Sequence, residues 1–191
     1  MQSRLIIVEG AQGAGKTTFT NLLRDKITQS ILYRNTGLKE QPDRADKTEF
    51  AHAAQYYSIY QQRDYGLTHI MDRTFTSEMA YSMCKYTPYD WTPNFETMLV
   101  WVDLLVKAGV EVYYYVLEAP EEVLIERLKR DKPQFNNVKF DIKNSLDQQK
   151  AFKDLIPAFA EKGAYTSVLD ATLSPDSLLQ IIVEDTGVIL K

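Results

Sequence analysis

The sequence predicts an α/β domain: a parallel sheet covered by helices on both faces. Three observations carry that prediction. Five short runs rich in branched and aromatic residues read as strands, and helical patterns alternate with them. The first run, Leu5-Ile6-Ile7-Val8, opens through a glycine-rich turn directly into a helix. Alternation of this kind spaces parallel strands by crossover helices.

The elements follow in order. The first helix has apolar residues at Phe19, Leu22, Leu23 and Ile27 and runs to about Gln29. Ile31-Leu32-Tyr33 is a second strand, followed by the loop Arg34 to Gly37. Leu38 to Lys47 carries Pro42 and many charges and reads as an exposed connection. Glu49 to Gln62 is helical, with Phe50, Ala54, Tyr57 and Tyr60 or Gln61 at helical spacing. Leu67 to Met71 is the third strand, ending at Asp72-Arg73, and Thr76 to Cys84 the next helix. Asn94 to Ala108 presents Phe95, Met98, Leu99, Val102 and Leu105 on one face, with Gly109 placed as a C-cap. Val110 to Leu117 is the fourth strand. Pro120 opens a helix with Glu121 and Glu122 at its start and Arg127, Lys129 and Arg130 at its end, matching the helix dipole. Asp131 to Asn144 is polar and irregular, Ser145 to Ala160 is helical with a possible break at Pro157, and Thr166 to Leu169 is the fifth strand. Ser174-Pro175 starts a last helix through Ile182.

The turn after the first strand reads Gly10-Ala11-Gln12-Gly13-Ala14-Gly15-Lys16-Thr17-Thr18, a G-x-x-x-x-G-K-T spacing between strand and helix. Glycines let the backbone come close to a phosphate, the amides form an anion nest, and the helix start adds its positive dipole end. Lys16 is placed to neutralise outer phosphates and Thr17 to ligate Mg²⁺. Gly10, Gln12, Gly13, Ala14, Gly15, Lys16, Thr17 and Thr18 are therefore the expected contacts for a nucleoside triphosphate.

The 191 residues fit one domain, with 45% hydrophobic and 25% charged residues. The net charge of −4 leaves no global footprint for nucleic acid. Cys84 is the single cysteine, so an internal disulfide is excluded and a reducing, cytoplasmic setting is expected. The N-terminus shows no signal-peptide pattern, and the apolar runs are too short to span a membrane.

In an open α/β sheet ligands bind at the carboxyl ends of the strands. Phosphoryl transfer needs cations there, and arginine matches phosphate geometry best. Asp72 at a strand end can reach the Mg²⁺ shell, and Arg73 can hold an acceptor phosphate; the bland alternative is a surface ion pair. Arg127 and Arg130 share one helix face, and the segment after them, about 131–144, is a candidate lid. Arg34 can bind an acceptor anion, Phe50 can stack on a base and Gln55 can read its edge. His52 and His69 lack metal-ligand spacing and carry no expected catalytic role.

Taken together these motifs resemble the thymidylate kinases and their relatives the deoxynucleoside kinases. Val8-Glu9-Gly10 with the phosphate loop looks like the family's opening, and Asp72-Arg73-Thr74 with Ser77 and Ala80-Tyr81 resembles its Asp-Arg motif. Arg127-x-x-Arg130 is similar to its lid entry and Leu169-Asp170-Ala171 to its ending. The resemblance implies a three-layer P-loop kinase fold with a five-stranded parallel sheet flanked by helices, ATP as donor, Mg²⁺, a deoxynucleotide acceptor and a homodimer. It makes Lys16, Asp72, Arg73, Arg127 and Arg130 catalytic, Thr17 and Asp72 metal-binding, and Phe50, Gln55 and Arg73 acceptor-binding, to which the strand-end position of Arg34 adds a fourth acceptor contact. Three departures concern the acceptor: the usual acid inside the phosphate loop is Ala11-Gln12 here, the tyrosine after Asp-Arg is Thr74, and the usual acceptor-loop pattern after the second strand is reduced to Tyr33-Arg34.

A nucleoside hydroxyl needs a general base, which relatives place in a Glu-Pro pair after the second strand. This chain has Arg34-Asn35-Thr36 there, and Glu40 is a weak match. A monophosphate acceptor needs cations instead, so it is the preferred expectation over a nucleoside. A nucleotide binder without turnover is the reading outside the enzymes. No Asn-Lys-x-Asp motif of a guanine-binding switch occurs.

Overall fold

The computed structural model describes residues 2–35, 44–131 and 141–191. Their elements run β1 (Arg4–Gly10), α1 (Lys16–Lys26), β2 (Ser30–Arg34), α2 (Arg44–Gln61), β3 (Thr68–Asp72), α3 (Thr76–Met83), α4 (Thr92–Lys107), β4 (Glu111–Glu118), α5 (Glu121–Asp131), α6 (Ile142–Asp154), α7 (Ile156–Ala160), β5 (Tyr165–Asp170) and α8 (Pro175–Thr186). The five strands form one parallel sheet in the order β2-β3-β1-β4-β5. The expected α/β architecture with a five-stranded parallel sheet is what the chain adopts.

Strand residues alternate between two cores, as the pleat requires. Leu5 and Ile7 of β1 join Val112, Tyr114 and Val116 of β4 beneath α2, α3, α4, α6 and α7. Ile6 and Val8 join Tyr113, Tyr115 and Leu117 beneath α1, α5 and α8. Buried on both faces, β1 and β3 are central strands, and all five residues of β3 are buried. The first core is organised around Phe75, which is fully buried among the rings of Tyr56, Trp91, Phe95 and Phe159.

Several boundaries differ from the sequence reading. The first helix stops at Lys26: Ile27 is extended and bridges Leu190, and Gln29 has a positive φ. The second begins at Arg44, so the end of the Leu38–Lys47 connection is helical. The expected helix over 145–160 is two helices, broken at Leu155 with Pro157 in the first turn of α7. Its start lies earlier, at Ile142, because the Asp141 side chain accepts from the Asn144 amide as an N-cap. The lid expectation over 131–144 therefore falls partly on helix ends, and its centre lies outside the described residues, as do Thr36 to Asp43.

On α2 the sequence pointed to the wrong stripe. Phe50, Ala54, Tyr57 and Gln61 are exposed, and Thr48, His52, Tyr56 and Ile59 pack inward. Two stripes of α2 carry apolar residues, and periodicity cannot say which one meets the sheet. Among the described residues, no helix is long and apolar enough to cross a membrane, and no cluster of acids, histidines and cysteines has the makeup of a metal site.

Two histidines stand in this interior. Burial pushes both His52 and His69 down to about 4 from the usual 6.5. In the unfolded chain they take up protons first, so their contribution is complete above pH 6.5 and is lost as pH falls toward 4. Each costs about 2 kcal/mol at pH 5. Urea denaturation at pH 7 and pH 5 is expected to show that loss, and His69→Asn to reduce it; an unchanged difference in the variant removes His69 as a cause.

Candidate active site

The site begins where β1 ends. Gly10 has φ 148°, and a side chain there would meet the Leu117 carbonyl of β4 at 2.7 Å, so only glycine lets the chain leave the sheet at this point. Gly15, at φ 94°, starts α1 without a side-chain cap. The amides of the first turn are thus left to an external acceptor, the condition for an anion site. Lys16 is buried and folds back over the loop, its Nζ donating to the Gly10 and Ala11 carbonyls at 2.6 and 2.7 Å. The loop lines a cleft of about 420 Å³ whose walls include Arg73, Arg127 and Arg130.

Glu9, the residue before the loop, is fully buried and organises the neighbouring strand end. Its Oε1 accepts from the Thr74 amide and the Thr76 hydroxyl, both at 2.6 Å, and Ser77 Oγ donates to Oε2 at 3.0 Å. Burial pushes its carboxyl pKa up; the Thr76 and Thr74 hydrogen bonds and the charges of Lys16 and Arg73 pull the other way.

This turn presents Asp72 and Arg73. Asp72 is buried, and its Oδ1 has no hydrogen-bond partner. Arg73 adopts a positive φ of 73°, unusual for a side-chain-bearing residue. Its amide donates to the Val8 carbonyl, its carbonyl accepts from Asn35 Nδ2 at 2.8 Å, and its guanidinium donates to the Tyr81 hydroxyl at 2.7 Å. Burial works against its charge, and Tyr81, Glu9 and Asp72 together raise its pKa despite that. Gln55 Nε2 donates to Asn35 Oδ1 at 2.7 Å, so the two amides form a strut behind Arg73.

The opposite wall comes from α5. Arg127 donates to the Ala14 carbonyl of the phosphate loop at 3.3 Å and to the Ala171 carbonyl after β5 at 2.7 Å. Leu173 and Pro175, from the same β5–α8 turn, continue the wall as an apolar edge. Arg130 reaches the rim, where Asp131 engages it through two hydrogen bonds. From α6, Gln148 accepts the Gln12 amide at 3.2 Å.

The structure thus brings Lys16, Thr17, Asp72, Arg73, Arg127 and Arg130 around one end of the sheet. Arg34 stands at the end of β2, exposed, with its guanidinium on Asn21 of α1. Gln55 reaches the site through Asn35. Phe50 does not join it: it is 78% exposed on the outer stripe of α2. Sequence reasoning gave no role to Glu9, Asn35, Tyr81 or Gln148. Glu9 had a legible signal, a lone acid ending an apolar strand; the amide partners had none, because their roles depend on tertiary contacts.

Neither a protein-family model nor a curated protein matches the chain at the level of sequence. Solved structures do match. Deoxyadenosine kinase from M. mycoides, with the products dCMP and dCDP, superposes with a TM-score of 0.64 at 15% identity, covering 96% of this chain and 98% of that one. Thymidylate kinase from Candida albicans gives 0.58 at 15%, over 99% and 98%. The Deinococcus radiodurans tunicamycin resistance protein gives 0.58 at 16%, over 99% and 98%. The fold is that of the P-loop kinases.

In this P-loop kinase fold the fit of a metal ion can be judged from the side chains. The unpartnered Asp72 Oδ1 and the exposed Thr17 hydroxyl supply the hard oxygen ligands that Mg²⁺ takes. These residues fit it.

Glu9→Ala leaves the Thr74 amide and two hydroxyls without their acceptor. Urea denaturation is expected to show a loss of about 3 kcal/mol or more, and less for Glu9→Gln, which keeps an acceptor oxygen. Equal losses would mean that packing volume, not hydrogen bonding, is what Glu9 contributes.

Proposed function

We propose that the chain transfers the γ-phosphoryl group of ATP to the 5′-phosphate of a deoxynucleoside monophosphate, in the manner of a thymidylate kinase. The observation that carries the reading is Arg73, held beside the phosphate loop by Asn35, Tyr81 and the Glu9-anchored turn. An arginine braced on three sides is a preorganised anion site, and such sites supply most of the stabilisation in phosphoryl transfer.

The amides of the phosphate loop and Lys16 would hold the donor phosphates, with Lys16 exchanging its two carbonyl contacts for phosphate oxygens. Arg127 braces the loop from behind and, with Leu173 and Pro175, walls the space for the donor's base. Mg²⁺ held by Thr17 and Asp72 would neutralise charge on the donor phosphates. Arg73 would orient the acceptor phosphate. One of its oxygens forms a bond to the γ phosphorus as the bond to the β–γ bridging oxygen breaks, and ADP leaves with that electron pair. The attacking oxygen is already ionised, so no general base is required. Glu9, the deepest acid here, is occupied by its three donors. Arg130 stands at the rim of the cleft, and Arg34 at the end of β2 is the outermost of the proposed acceptor cations.

A second reading rests on Asp72. Its bare Oδ1 is a potential proton acceptor, which a nucleoside 5′-hydroxyl would require. In the deoxyadenosine kinase neighbour the bound products are dCMP and dCDP, the phosphorylated forms of a nucleoside and of a monophosphate.

The test is ATP consumption with Mg²⁺ against the common deoxynucleosides and their 5′-monophosphates. Turnover with monophosphates alone supports the proposal; turnover with nucleosides alone transfers it to the second reading. ATP binding without turnover leaves a binding protein. Arg73→Ala is expected to lower kcat by roughly a hundredfold or more with ATP affinity little changed. Equal weakening of ATP binding would make Arg73 part of the fold rather than the acceptor site.

A further inference from the structure

The sheet has an open edge at β5. Among the described residues no strand continues it there, and β5 is paired on one side only, to β4. The Ala171 amide donates to the Glu118 carbonyl at 2.7 Å, which fixes the phase of the ladder. Backbone groups alternate along a strand, so Tyr165, Ser167 and Leu169 turn theirs toward β4. Thr166, Val168 and Asp170 turn theirs away from the sheet. Natural edges are guarded by lysine, proline, a bulge or a covering segment. Tyr165-Thr166-Ser167-Val168-Leu169 has no charge and no proline, and it pairs with β4 in unbroken register. Val168 is 40% exposed, and Asp170 is exposed next to it on the same face of the strand.

We infer that this edge pairs with β5 of a second copy of the chain, antiparallel, about a two-fold axis at Val168. The strand is complementary to itself in that register. Val168 meets Val168 of the second copy, each amide donates to the other's carbonyl, and the two exposed side chains cover one another. Thr166 lies opposite Asp170 of the second copy on either side of the axis. The Asp170 carbonyl already takes the Leu173 amide, and its Oδ1 takes the Thr172 amide and hydroxyl. Its own amide and Oδ2 are therefore what it offers, to the carbonyl and the hydroxyl of the opposite Thr166.

Other registers fit less well. A shift by one residue sets Val168 against Ser167, whose backbone groups are spent on β4. A shift by two sets Asp170 against Ala164 and leaves the carboxylate without a donor. An isologous contact requires each residue to fit the one that symmetry sets against it, and an apolar centre flanked by hydroxyl–carboxylate pairs does so. A strand edge falls below the area of a standard interface, so this dimer forms and parts with concentration. The pairing also bears on the cleft. Asp170 is followed by Ala171, whose carbonyl holds Arg127, and by Leu173 of the cleft wall, so a second strand would steady the start of that wall.

Sedimentation velocity of the full chain from about 10 to 500 µM tests this, and a concentration-dependent dimer is expected. Val168→Lys sets two like charges at the axis and is expected to weaken the dimer at least about tenfold. Thr166→Asp faces Asp170 with a second carboxylate. It is expected to weaken the dimer about fivefold at low ionic strength and to lose most of that effect in about 0.5 M salt. It also stands in for Val168→Lys if that variant melts early. Val168→Cys with Cys84→Ser is expected to give a disulfide-linked dimer under mild oxidation, because residues opposite in such a pair have Cα atoms about 5.5 Å apart. Val100→Cys with Cys84→Ser, on the exposed face of α4, is expected to stay uncoupled. A monomer at every concentration would overturn the inference and leave the edge to a different extended partner. A dimer that neither charge weakens would overturn it as well. Coupling at Val100 in place of Val168 would move the contact to the α4 face and end the inference.

Discussion

The carboxylate of Glu9 is the constraint on which the rest of the site depends. A buried acid is expensive unless donors surround it. Here the donors are the Thr74 amide and the Thr76 and Ser77 hydroxyls, all from the turn after β3. The neighbouring strand therefore cannot end in any other way without stranding the acid. Its turn must carry Arg73 through a positive φ, and that strained backbone is fastened by the Val8 carbonyl on one side and Asn35 on the other. One side chain on β1 thus bears on where Asp72 and Arg73 stand.

The same acid balances charge. Lys16 and Arg73 both act on it across the end of the sheet. Two cations confined beside a phosphate loop would otherwise repel each other when no polyanion is present. An acid held by its own donors beneath them favours keeping both in place before a ligand arrives, which is the preorganisation that anion chemistry needs.

How much of this was legible in the sequence depended on whether a residue's role was local. The conformation of the glycine-rich loop was legible, because it is set over a few consecutive residues between a strand and a helix. Sheet order was not read, although alternation of strands and helices carried the fold class. The strand-end arginine was legible from its position after Met71. The inward face of α2 was not, since Phe50 and Tyr57 advertise a stripe as apolar as the one containing Tyr56 and Ile59. What turned the helix was the core, where Tyr56 packs on Phe75 in one cluster with the strand residues Ile7, Met71 and Tyr114. Polar Thr48 and His52 were carried inward with them. The Gln55–Asn35–Arg73 relay joins three elements and has no sequence spacing to betray it.

The cations of the cleft fall into two kinds by what they rest on. Lys16 and Arg127 donate to backbone carbonyls of the phosphate loop and its surroundings, at positions set by the fold itself. Carbonyls carry partial charge only, so a phosphate oxygen is the stronger acceptor and can draw Lys16 from them with little loss. Arg127 has a second anchor after β5 and couples the loop to that wall, which makes it a brace before it is a ligand. Arg130 rests on a full charge, Asp131, but at the surface, where water screens the pair. Its arm is the one that can leave its partner most readily. The arrangement separates a rigid floor, built on the loop and Glu9, from an adjustable rim, and a polyanion entering the cleft would meet the fixed charges first.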